Sequence, residues 1–111
     1  MSIAIQPFFE PTGLNSGPSV ALYTAGAVSR IDSMTVVNAT NAAATFNLYL
    51  VPAGRMANAS NQMIINRPIQ PGESWVVDPV LGHMLEQGDA IYATSSTPNS
   101  LVLFAAGLVI S

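Results

Sequence analysis

From Ser19 onward this 111-residue chain is cut into short apolar runs by turn chemistry: Gly26, Asn38–Asn41, Pro52–Gly54, Asn58–Gln62, Pro71–Gly72, Gly88 and Ser95–Asn99. Runs of four to ten residues at that spacing are too short for a helical bundle and fit the strands of an antiparallel sandwich or jelly roll. The clearest is Thr45–Val51, in which Phe46, Leu48 and Leu50 point one way and Thr45, Asn47, Tyr49 and Val51 the other. Further strands are expected at 20–23, 31–37, 63–65, 74–77, 90–94 and 101–110, with 63–65 and 74–77 paired across the Pro71–Gly72 turn. Val80–Glu86 has helical spacing and predicts a short helical turn or a tight loop before Gly88. The last run, Leu101–Ile110, is apolar on both of its faces, which predicts that it is covered twice.

The first eighteen residues read differently. Pro7, Pro11, Gly13, Asn15, Gly17 and Pro18 punctuate them too densely for a helix or a long strand. The expectation is an extended arm over 1–18 beside a sandwich domain over 19–111. Phe8 and Phe9 carry more apolar surface than a free tail and would dock either on their own domain or on a neighbour, with the arm becoming ordered only where a neighbour supplies further contacts.

Composition bears on what such a sandwich does. Nine residues are charged, three arginines and six acids, with no lysine. An ordinary domain of this length carries roughly 28. At 11.6 kDa the folded surface should expose roughly 5,800 Å², or one charge per roughly 650 Å². With mean hydropathy at +0.41, that deficit predicts a surface partly covered by partner subunits. All three cations are Arg30, Arg55 and Arg67, whose planar guanidinium groups suit interfaces. Together with Phe8, Phe9 and Trp75 they are the candidate interface residues.

Several function classes recede on the same grounds. Net charge of −3 without a basic patch argues against nucleic acid, and a ten-residue apolar run is half a membrane span. Met1–Pro7 lacks the pattern of a secretory signal, which predicts folding in a cytosol. The absence of cysteine removes thiol catalysis and Cys-ligated zinc. The titratable cluster Asp78, His83, Glu86 and Asp89 matches no metal or acid–base spacing, so no catalytic, cofactor or metal residues are assigned and no enzyme is expected. Asn38-Ala39-Thr40 and Asn58-Ala59-Ser60 match the glycosylation acceptor pattern and are read as turn residues. Trp75, Tyr49 and Tyr92 suggest a platform for a sugar, or core and interface anchors.

The order of segments carries a resemblance. Leu22-Tyr23-Thr24-Ala25-Gly26, Ile31 through Asn38, Ala44-Thr45-Phe46-Asn47-Leu48-Tyr49-Leu50-Val51-Pro52, Ile69-Gln70-Pro71-Gly72-Glu73, Leu85-Glu86-Gln87-Gly88-Asp89-Ala90-Ile91 and Ala106-Gly107-Leu108-Val109-Ile110 together resemble small β-sandwich virion proteins of tailed bacteriophages. Length and neutral composition are most similar to the capsid decoration, or cement, proteins of short-tailed phages. The resemblance implies a homo-oligomeric structural protein on the outer capsid surface, made in the host bacterial cytoplasm, with the major capsid protein as partner. It offers no catalytic residues. The alternative it leaves open is a tail, neck or fibre module, or a virion-borne carbohydrate-binding module that takes a host glycan. The proline-rich first eighteen residues depart from the pattern.

Overall fold

In the computed structural model, which describes residues 3–17 and 21–110, alternation in the sequence becomes two facing sheets. The strands are β1 (Ile3–Gly13), β2 (Tyr23–Thr24), β3 (Ser29–Asn38), β4 (Ala44–Val51), β5 (Gln62–Ile69), β6 (Ser74–Val76), β7 (Met84–Leu85), β8 (Ala90–Ser95) and β9 (Leu101–Ile110). One sheet runs β1-β9-β3-β6, with the two-residue β7 also on β3, and the other runs β2-β8-β4-β5. Every pairing is antiparallel. The protein is thus an all-β antiparallel sandwich, as the turn spacing predicts.

Its core is the meeting of the two inner faces. Phe46 and Leu48 from β4, Ile69 from β5 and Ile91 from β8 pack against Ile31, Met34 and Val36 from β3 and Leu101 and Leu103 from β9. Phe46, Leu48 and Leu50 are buried, while Thr45, Asn47 and Tyr49 are half-buried on the other side, so the period-two reading of β4 is correct. Val51, expected outward, is buried beside Ala90. Asp89 draws two loops over that end, its Oδ1 accepting from Ala53 N at 3.1 Å and its Oδ2 from Glu86 N at 2.9 Å.

The N-terminal segment corrects the expectation of a mobile arm. β1 is an eleven-residue edge strand paired along β9. Proline costs a strand its ladder donor, but an edge strand has a neighbour on one side only, and bulges absorb the rest. Between Pro7 and Phe9 the register slips by one, so Phe8 and Phe9 stand together opposite Ala105; between Phe9 and Thr12 it slips again, setting Glu10 and Pro11 opposite Phe104. The first bulge turns Phe8 into the core, where its ring stacks on Tyr23 of the other sheet at 4.5 Å between centroids. Leu14 follows, fully buried, with its N–H donating to Leu101 O and its carbonyl accepting from Asn99 N, each at 2.9 Å. Docking is in cis.

Two further expectations shift. β5 and β6 flank the Pro71–Gly72 turn without pairing, because β5 pairs with β4 and β6 with β3 in the opposite sheet. Gly72 takes φ of 76° and Glu73 N donates to Gln70 O at 2.9 Å, the geometry of a type II turn, here used as a corner between sheets. The helical turn lies at Asp78–Val80, with Pro79 in its first turn, and is 3-10 in type; 81–83 is a tight loop. The first expected strand, 20–23, is realised as Tyr23–Thr24, and Val20 lies outside the described residues.

Asn38 joins these corners. Its Nδ2 donates to the carbonyls of Ala42 and Ile69, both at 2.9 Å, and its Oδ1 accepts from Thr40 N at 3.0 Å and Thr40 Oγ1 at 2.6 Å. Its main chain holds β6, donating to Glu73 O at 2.9 Å and accepting from Gly72 N at 2.8 Å. An asparagine this buried and fully bonded is a structural node. Asn38→Ala leaves the buried Ile69 carbonyl without this donor and unties the Thr40–Ala42 turn, and should cost about 2–4 kcal/mol, read from the midpoint of chemical denaturation.

Candidate functional site: the outer face of the β1–β9–β3 sheet

β9 has apolar residues at every position, and alternation decides where each goes. Leu101, Leu103 and Ala105 are buried in the core, and Gly107 completes that row where the carbonyl of Arg30 passes close by. The opposite row, Val102, Phe104, Ala106, Leu108 and Ile110, lies on the outside. There the expectation of double cover fails among the described residues: these side chains are half-buried by their neighbours, Phe104 is 39% exposed, and no described element lies over them.

The register widens this row into a patch. On one flank Ile3 lies across from Ile110, Ile5 from Leu108 and Pro7 from Ala106, and Ile3 and Ile5 are 62% and 80% exposed. On the other, Thr35 lies across from Phe104 and Val37 from Val102, with Val76 of β6 beyond Thr35 and Met84 of β7 beyond Arg30. Isoleucines at this exposure in a contiguous face, unlike a scattered surface leucine, make this an exposed apolar patch and the candidate interaction surface of the sandwich.

Charge on the patch is nearly self-cancelling. A bulge places Asp32 and Ser33 together opposite Ala106, and Arg30 Nε donates to Asp32 Oδ1 at 2.7 Å. That hydrogen bond, and after it the carboxylate's charge, hold the Arg30 guanidinium above its ordinary pKa. Glu10 sits at the margin beside Phe104.

The other candidate residues fall elsewhere. Phe8 is in the core and Phe9 packs against it half-buried, so both serve the fold. Arg55 is exposed in the loop after β4, where its N–H donates to Pro52 O at 3.0 Å. Arg67 and Trp75 meet across the seam between β5 and β6, the guanidinium carbon 3.9 Å from the indole centroid, with Phe46 edge-on to the indole at 6.3 Å. Arg67 Nε is buried without a hydrogen-bond partner, so the guanidinium's contact there is the ring face, with Glu73 at 3.9 Å a loose ion pair. Tyr49 and Tyr92 are cross-strand neighbours on the outside of the second sheet, and Trp75, at the seam, is not with them.

Asp78, His83, Glu86 and Asp89 do not converge: among the described residues no three His, Asp or Glu side chains are grouped to hold a metal, and no concave pocket is present. Asn58 caps the 3-10 turn Ala59–Asn61. The patch residues outside β9 went unread in the sequence, although Ile3 and Ile5, two apart, already alternate toward one face. No protein-family model, curated protein or solved structure matches the chain.

Proposed function

We propose that this chain is a structural virion subunit that decorates the outside of a phage capsid and clamps neighbouring major capsid subunits. The observation that carries the reading is the uncovered apolar face built on β9, on a surface of 5799 Å² that bears only nine formal charges. Such a face gains stability when an assembly buries it, at about 25 cal/mol per Å² of apolar surface. We read the strand orders β1-β9-β3-β6 and β2-β8-β4-β5, setting the short β7 aside, as those of an eight-stranded jelly roll, an architecture common in viral shells. The segment resemblance to decoration proteins points the same way. The action is linkage: a ligand of the intact lattice alone stabilises it by RT ln(1 + [L]/Kd), about 2.7 kcal/mol per copy at a hundredfold excess over Kd.

The test is cosedimentation with empty shells of the major capsid protein from the virus that encodes the chain. Saturable binding, with shells that then resist denaturant, is the expected result. Shells that neither bind the protein nor gain resistance would exclude the role. The neighbouring Tyr49 and Tyr92 support a second reading, a virion-borne carbohydrate-binding module for a host glycan, which a glycan array decides.

A further inference from the structure

We infer that the outer face of the β1-β9-β3 sheet is a self-association surface, covered face to face by a second copy of this chain. The inference rests on the preceding reading only in taking that face to be a covered one, and leaves the rest of the surface for a shell. Four observations select a second copy.

The first is size. β9 is ten residues long, and with strands rising about 3.3 Å per residue and spaced about 4.8 Å apart, β1, β9 and β3 with the short β6 and β7 beside them cover roughly 550 Å². Two such faces bury roughly 1,100 Å² together, just above the roughly 1,000 Å² that a specific interface needs. The second is shape. Along the outer row the largest side chain, Phe104, stands beside the smallest, Ala106. A two-fold axis crossing β9 between them, with the two β9 strands antiparallel, seats Phe104 of each copy over Ala106 of the other. An isologous contact requires that kind of self-complementarity.

The third is charge. Arg30 and Asp32 neutralise one another within the chain, which leaves Glu10 at the margin as the charge carried over and keeps the like-charge penalty between two identical faces small. The fourth is the edge. Pro7, Pro11 and two bulges blunt β1 against pairing with another strand, so a second copy adds through the face and does not extend the sheet.

Sedimentation equilibrium of the full chain tests this. The wild type should reach twice the 11.6 kDa chain mass. Phe104→Lys should remain at one chain mass with a native far-UV spectrum and a cooperative melt that no longer rises with protein concentration, and Ile65→Lys, at an exposed site on β5 of the other sheet, should stay dimeric. If Phe104→Lys fails to fold, peroxide footprinting of the wild type decides. Met84, at the rim of the face, should oxidise several-fold more slowly at dimeric than at dilute concentration, whereas Met56, exposed in the loop after β4, should not change. A wild type that stays at one chain mass, a different stoichiometry, a dimer that survives Phe104→Lys, or Met84 unprotected overturns the inference. A monomer that still binds shells overturns it while sparing the decoration role; a dimer that ignores shells does the reverse.

Discussion

A chain lacking residues 2–14 should not fold. The deletion removes Phe8 and Leu14 from the core, losses of about 3–5 and 2–5 kcal/mol respectively when each is truncated to alanine. It also strips the partner strand from the whole length of β9, leaving a central strand as a bare apolar edge. Against a total stability of about 5–15 kcal/mol, the sum leaves little or nothing. Far-UV circular dichroism should show an unfolded or aggregating product without a cooperative melt. Leu14→Ala alone should keep the fold and lower its stability by about 2–5 kcal/mol. A truncated chain that melts cooperatively near the full-length temperature would mean that β1 is dispensable.

Gly107→Ala should be the most damaging of the glycine-to-alanine substitutions. A Cβ built at Gly107 falls 1.9 Å from the carbonyl oxygen of Arg30 and 2.6 Å from Cζ of Phe8. The first contact is backbone, on the strand β9 pairs with, so it can be relieved only by moving β3 off β9 where Ile31 lies opposite Gly107. Overpacking of this kind costs about 3 kcal/mol or more, a fall of roughly 10–20 °C in Tm for a domain this size. Calorimetry of Gly107→Ala alone and combined with Phe8→Leu separates the two contacts. The shorter side chain should recover only a minor part, because the clash with the Arg30 carbonyl remains. Full recovery would assign the constraint to the Phe8 ring.

The two predictions fall where reading the chain in one dimension went furthest astray, and for one physical reason. Period-two patterning locates β4, and an unbroken apolar run locates β9, because each strand is judged against its own residues, and β4 confirms Phe46, Leu48 and Leu50 as core. Pro7 and Pro11 were read by the same local logic as breakers. Whether a proline breaks a strand depends on whether a neighbour needs its N–H, which is a property of sheet order. Sheet order likewise decides that the Pro71–Gly72 turn joins strands in different sheets. Gly107 looked like any small residue in an apolar run, because the carbonyl that excludes a Cβ comes from a strand some 77 positions away in the chain.

The candidate surface was half readable. The two-faced apolarity of β9 predicts a second cover, and the charge deficit predicts a surface partly covered by partners. Neither names the residues alongside β9, since Ile3, Ile5, Val76 and Met84 join the patch only through the register of β1, β6 and β7. Trp75 and Phe8, conspicuous as interface anchors in one dimension, are drawn inward by Arg67 and Tyr23, residues of the opposite sheet.

The most direct test of the central claim is an electron cryo-microscopy reconstruction, at side-chain resolution, of shells assembled with this protein. The account predicts the sandwich on the outer surface of the shell, bridging major capsid subunits, with Ile5, Phe104 and Leu108 buried against protein. A shell without density for the sandwich, or a bound sandwich whose β1-β9-β3 face is open to solvent, would contradict it.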